Sequence, residues 1–312
     1  MTDRRHVDSR PTAMHRHFWA FLVTLPATVA AQDAAGTALW RLASTTLAVP
    51  PALATGGPAA LWNAAQPDGT ARLVLSVELL RTPPELGVAG PLAAGRVQVR
   101  TLGAIGLVYG RLAIDDLVRT SDSPEPTGGS VPYYTQIVGA HWARAIGRAT
   151  VGALLAHHDT RLDAALTRRW TLDLGVRAPI LSDALEVAAA THFFSWSDAG
   201  DPAQDLYLGL AYRVPLGQLW EGSERAALSL RYGAAVAHGF GADQFVGAGM
   251  ALGEVFTADV MIAREGGYAE EGWRPVGAIR VGVGRYRVSF ARDAGTNGIG
   301  SAYRVGLEVR AP

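Results

Sequence analysis

Strict alternation of apolar and polar side chains dominates the back half of this chain. In 205–214, DLYLGLAYRV, residues Leu206, Leu208, Leu210, Tyr212 and Val214 fall on one face, and Tyr207, Gly209, Ala211 and Arg213 on the other. Residues 303–310 repeat the pattern, with Tyr303, Val305, Leu307 and Val309 set against Arg304, Gly306, Glu308 and Arg310. Successive side chains of a strand point to opposite faces, so each segment has one apolar face and one that carries small or charged groups. A soluble sandwich would bury the apolar face against a second sheet. A membrane barrel turns it to lipid and keeps the charged face in its lumen.

The same period recurs in fourteen segments. They lie at 71–80, 95–102, 104–114, 131–144, 148–158, 168–177, 185–194, 205–214, 225–237, 244–252, 256–264, 274–283, 285–291 and 301–310. Most are near the roughly 9–11 residues that a tilted membrane strand needs, and an even number suits a single-chain barrel. Connections after odd strands read as long (81–94, 115–130, 159–167, 195–204, 265–273, 292–300). Those after even strands read as tight turns at Gly103, 145–147, 253–255 and Gly284. The connections 215–224 and 238–243 break the rule. A sandwich predicts no such alternation. Aromatic residues gather near strand ends, as in interfacial girdles: Tyr133, Tyr134, Trp142, Trp170, Phe193, Phe194, Trp196, Trp220 and Trp273. The expected fold is therefore all-β, a transmembrane antiparallel up-and-down β-barrel of about fourteen strands over 71–312.

Residues 1–31 read as an extension followed by a signal peptide. His15–His17 is a basic start, Phe18–Ala31 is apolar, and Val29-Ala30-Ala31 before Gln32 suits small-residue cleavage. The apolar run, roughly 14 residues with Pro26 inside, is too short to span a bilayer as a helix. Met14 stands where such a signal begins, so 1–13 reads as a mis-assigned start or, alternatively, as a polar extension. Export and a bacterial outer-membrane location follow.

Composition agrees. The 312 residues include no cysteine, so neither disulfides nor thiol chemistry is available. The 36 glycines are scattered through strands, where they weaken a soluble sheet but leave room inside a barrel. Net formal charge is zero, which gives no basic surface for nucleic acid. Every basic residue other than histidine is arginine, consistent with GC-rich coding.

Residues 32–70 lack the alternation and read as a periplasmic or plug segment, a short helix or irregular chain broken at Gly56-Gly57. Here ALATGG is followed by AALWNAAQ. This resembles the "ALxxNPAGL"-like motif that precedes the first strand in outer-membrane barrels of the FadL/PorV/PorQ type. Leu61, Trp62 and Asn63 match in place; Ala64, Gln66 and Pro67 stand where the pattern has proline, glycine and leucine. The run 253–291, containing GEVF, IAREGGY and GAIRVGVGRYRVSFA, resembles the family's late hairpins. The resemblance implies a fourteen-stranded barrel with a plugged lumen, in roles from uptake of hydrophobic compounds to service in secretion.

Catalytic and metal chemistry is thin. His157-His158-Asp159 alternates faces and so chelates one ion poorly. The stretch from Asp293 to Gly298 lacks a calcium loop's repeated ligands and reads as a turn at Asn297-Gly298. His192 with Ser195, or Ser229 with His238, supplies hydrolase residue types with no motif around them. No phosphate-cradling glycine loop is present. The chain reads as a non-enzyme without a cofactor.

The inward list is the better clue. Alternation places Arg96, Gln98, Arg100, Asp173, Arg177, Arg213, Arg231, Arg280, Arg287, Arg304, Glu308 and Arg310 in the lumen. They brace the barrel and its plug as an arginine–carboxylate lattice, or line a cationic passage. Three functions follow. A passage or carrier for hydrophobic or amphipathic small molecules predicts a pocket near Leu53, Trp62 and Asn63 with arginines behind it. A scaffold for a secreted or envelope protein predicts partner contacts at 115–130 and 195–204. A soluble sandwich, perhaps sugar-binding, predicts extraction without detergent. The first is preferred. The partners expected are outer-membrane lipid and a small-molecule ligand. The ending Arg310-Ala311-Pro312 lacks the terminal aromatic common in such barrels.

Overall fold

A computed structural model describes residues 36–66, 71–115, 117, 129–180, 183–195, 204–218, 226–237, 241–264, 272–295 and 300–312. The leader and Met14, Trp196, Trp220, His238 and the Asn297-Gly298 turn lie outside them.

Fourteen antiparallel strands close into one barrel in sequence order. They are β1 (Leu73–Arg81), β2 (Val88–Val99), β3 (Gly103–Ile114), β4 (Tyr133–Ile146), β5 (Ala149–Leu162), β6 (Ala165–Ile180) and β7 (Leu185–His192). The circuit continues through β8 (Asp205–Pro215), β9 (Ala226–Ala237), β10 (Ala242–Leu252), β11 (Phe256–Arg264), β12 (Trp273–Val283), β13 (Tyr286–Asp293) and β14 (Ala302–Ala311). The ring closes where β1 pairs with β14, Leu73 opposite Ala311 and Arg81 opposite Tyr303. That closure pairs every strand on both edges, as a lipid-embedded sheet requires. The end bearing Leu73 and Ala311 is called here the terminal end, and the other the loop end.

All fourteen expected segments are strands, with two shifts in their bounds. β2 begins at Val88 rather than 95, because Gly90, Pro91 and the alanines around them blur the alternation; the 81–94 connection shrinks to 82–87. β5 and β6 run on to Leu162 and back from Ala165, so 159–167 is no long loop. Asp163, at φ 54, makes the tight turn between them.

Outside, the apolar face is bare. Leu206, Leu208, Leu210 and Tyr212 are all exposed, as are Leu75, Val77 and Leu79 on β1 and Val305 and Leu307 on β14. Large apolar side chains repeated around a closed wall make a lipid-facing band. Trp142, Trp170 and Trp273 belong to this outer surface. Tyr133 and Phe193 do not: the first packs against the interior cluster and the second is fully buried, so neither is a girdle residue.

Inside, residues 36–66 run from the loop end to the terminal end. Helix α1 (Thr37–Thr45) comes first, followed by 3-10 turns at Pro51–Leu53 and Gly57–Leu61, each with proline in its first turn. Trp40 of α1 donates its Nε1–H to Thr135 of β4 at 3.0 Å. Arg41 forks onto Asp205 of β8 through Nε and Nη2 at 2.8–3.2 Å.

Candidate functional site

The segment seats against strands whose inward positions are small. A Cβ built on Gly152 or Gly175 would meet the backbone of Ala64 and Ala65 or the side chain of Asn63. These strand glycines are therefore the floor on which 63–65 lies. Asn63 holds its own loop: Nδ2–H donates to the Ala52 carbonyl at 2.5 Å, and Oδ1 accepts from the Ala65 N–H at 2.8 Å. His141 of β4 lies with Nε2 2.6 Å from the Ala64 carbonyl; the partner only accepts, so this nitrogen carries the proton.

Two of the predicted arginines satisfy carbonyls that the ends of short helices leave open. Arg177 donates to the Leu53 and Ala54 carbonyls at 3.2 and 3.1 Å and to Glu186 at 2.6 Å. Arg304 donates to the Ala43 carbonyl in the last turn of α1, to Thr46 Oγ1 at 2.9 Å and to Glu78 at 3.1 Å. Its guanidinium also stacks 4.9 Å from the Trp62 ring. A buried guanidinium is tolerable because a carboxylate and several acceptors surround it.

The other predicted residues separate by position. Arg231 pairs with Asp259 of β11 at 2.5 Å, and Arg287 with Glu254 of the β10–β11 turn at 2.7 Å. Arg310 pairs with Glu308 at 2.6 Å, and Glu308 accepts the Gly57 N–H at 3.1 Å. Arg96 and Gln98 point inward from β2, opposite Val74 and at the terminal end respectively. Asp173 is buried against His192, 3.1 Å away. Arg100, expected in the lumen, is instead exposed in the turn that follows β2, which ends at Val99.

Arg213 and Arg280 face a cavity of about 510 Å³ between the segment and strands β8–β13. Leu53, Ala59 and Trp62 form its apolar side; Arg213, Arg231, Asp259 and Arg280 form the other. It reaches the terminal end, where Ala184 and Gly253 line it. The Trp62 Nε1–H is buried and has no acceptor. A buried donor left without a partner costs about 1–3 kcal/mol.

Sequence reasoning passed over the carboxylates that complete the lattice, Glu78, Asp205 and Asp259, although each lies in phase with its strand's inward face. It also passed over Trp40, Arg41 and His141. The inward turn of Phe193 had no signal at all: the β6–β7 register slips there, with Phe193 at φ 60 and Leu172 N–H bonding the Phe194 carbonyl, so that His192 and Phe193 are both buried. His157 and His158 do lie on opposite faces; His158 bonds Thr171 inside at 2.8 Å, while His157 packs edge-on against Trp170. Ser229 bonds the Gly249 carbonyl at 3.2 Å.

No family model and no curated protein matches the chain. Solved structures do. The fold is similar to that of the Ralstonia pickettii toluene transporter TbuX, with TM-score 0.53 and 14% identity over 82% of this chain and 94% of that one. It is also similar to the P. putida toluene transporter TodX, with TM-score 0.50 and 12% identity over 82% and 92%. At these identities the likeness is one of fold.

Proposed function

We propose that the protein is an outer-membrane barrel that passes or carries hydrophobic or amphipathic small molecules, and that residues 36–66 act as its plug. The cavity between Trp62 and Arg213–Arg280 carries this reading. Its two sides suit a molecule with an apolar body and an acidic or polar head, Leu53 and Trp62 on one side and Arg213 and Arg280 on the other. The fold's likeness to two toluene transporters supports a hydrophobic cargo class. Towards the loop end, α1 and the buried cluster containing Phe245, Met261 and Val276 fill the lumen, so passage requires the plug to shift. Most of 115–130 and 195–204, where a protein partner was expected to bind, lies outside the described residues.

Uptake of labelled toluene, octanoate and benzoate by cells with and without the protein tests this reading. It predicts faster uptake of at least one of the three. Arg213→Gln and Trp62→Ala should each slow the carboxylates several-fold while leaving the barrel folded. Equal uptake of all three with and without the protein contradicts it.

A further inference from the structure

The outer wall carries a feature that the lumen does not explain. Across β1, β14 and β13 the outward side chains form level rows: Leu75, Val309 and Tyr286; Val77, Leu307 and Val288; Leu79, Val305 and Phe290. The next row towards the loop end is Arg81, Tyr303 and Arg292. Three apolar rows thus end abruptly on two cations and a phenol. Tyr303 is 40% exposed, and both arginines are exposed. Strands lie roughly 4.8 Å apart, so the two arginine backbones stand about 10 Å apart with the tyrosine between them.

The neighbours keep this row open. On the far side of Arg81 stands Ala89 of β2, and on the far side of Arg292 stands Gly277 of β12. Arg292 is held by Ser301 Oγ at 3.0–3.1 Å, with its guanidinium carbon 6.0 Å from the Tyr303 ring centre. Among the described residues no carboxylate bonds either guanidinium. Asp293 is turned inward and held by Arg274 at 2.7 Å, and Glu85, in the β1–β2 connection beyond the row, has its carboxylate beside Gly300 without bonding either arginine. Elsewhere on the outer wall the comparable Arg168 is already paired with Asp159.

We propose that Arg81, Tyr303 and Arg292 bind the phosphate of a lipid headgroup in the leaflet at the loop end, with its acyl chains lying along the three apolar rows. A phosphomonoester brings three acceptor oxygens and nearly two charges, enough to take a fork from each guanidinium. The tyrosine hydroxyl adds a donor between them. Lipid rather than free phosphate is the ligand because the cations border a continuous apolar face at the depth where a headgroup sits.

The test is retention of a bis-phosphorylated glucosamine lipid (lipid A) by the full, detergent-solubilised protein in native mass spectrometry. Its dephosphorylated form and inorganic phosphate serve as further probes. Losing charge-assisted bonds from both arginines should weaken retention about tenfold or more. The Arg81→Gln/Arg292→Gln pair should therefore show that loss, and the dephosphorylated lipid should show it on the wild-type protein. Arg168→Gln should bind as wild type. Because the row lies on the surface, the variants should keep the heat-dependent gel shift of a folded barrel. Arg81→Lys/Arg292→Lys, which keeps the charge, should retain more lipid than the glutamine pair. Undiminished retention in the glutamine pair, equal retention of the dephosphorylated lipid, or displacement of the lipid by inorganic phosphate would each overturn the proposal.

Discussion

Arg304 ties several interior groups together, touching the Ala43 carbonyl, Thr46, Glu78 and the Trp62 ring. Arg304→Met would leave Glu78 without its cation inside the lumen, at a cost of about 3–5 kcal/mol for a broken buried pair. The expected readout is faster hydrogen exchange over 43–47 while the β1–β14 ladder stays protected; adding Glu78→Gln should recover part of the loss. Gly175→Val should act differently, by pushing a side chain into Asn63 and lifting 63–65 off the wall. New protease cleavage within 50–66, with the strands intact, is the outcome to look for. Parity along each strand was enough to place Arg177, Arg213, Arg231, Arg280 and Arg304 inside. The partner of Arg304 was not legible, because it meets Glu78 only once the ring closes, 226 residues apart in sequence. Arg100 shows the limit of parity, which fails where a strand stops.

Each strand is a self-contained pattern, and for that reason the strands were the most readable level. Where alternation is diluted by alanine, glycine and proline, as in 88–94, a boundary moved by several residues. The turn at Asp163 was hidden for a related reason: the polar run at its strand ends reads equally as loop. The two faces make a direct prediction. Val288 points to lipid and its neighbour Ser289 to the cavity. Val288→Arg should destabilise the barrel in lipid vesicles by about 2–4 kcal/mol, the depth-dependent cost of a cation on the lipid face. Ser289→Arg should cost much less, since its side chain enters the cavity beside Asp259 rather than lipid. Urea titration of the two variants decides it, and equal costs would mean that the faces are misassigned.

At the scale of the molecule, the count and order of strands followed from the repeating alternation. The path of 36–66 did not, because the segment has no period of its own and takes its shape from the wall: glycines beneath it, Arg177 and Arg304 at its turns, and Thr135 and Asp205 holding α1. Beside the segment lies the cavity facing Arg213 and Arg280, and the functional account rests on that space. The most direct measurement is native mass spectrometry of the protein released by mild detergent from the membranes of the cells that make it. The account predicts an adduct of fatty-acid or aromatic-acid size, retained by the wild type and lost from an Arg213→Gln/Arg280→Gln variant that still shows the barrel's gel shift. An adduct that survives the double substitution, a wild type that carries none, or recovery without detergent would contradict it.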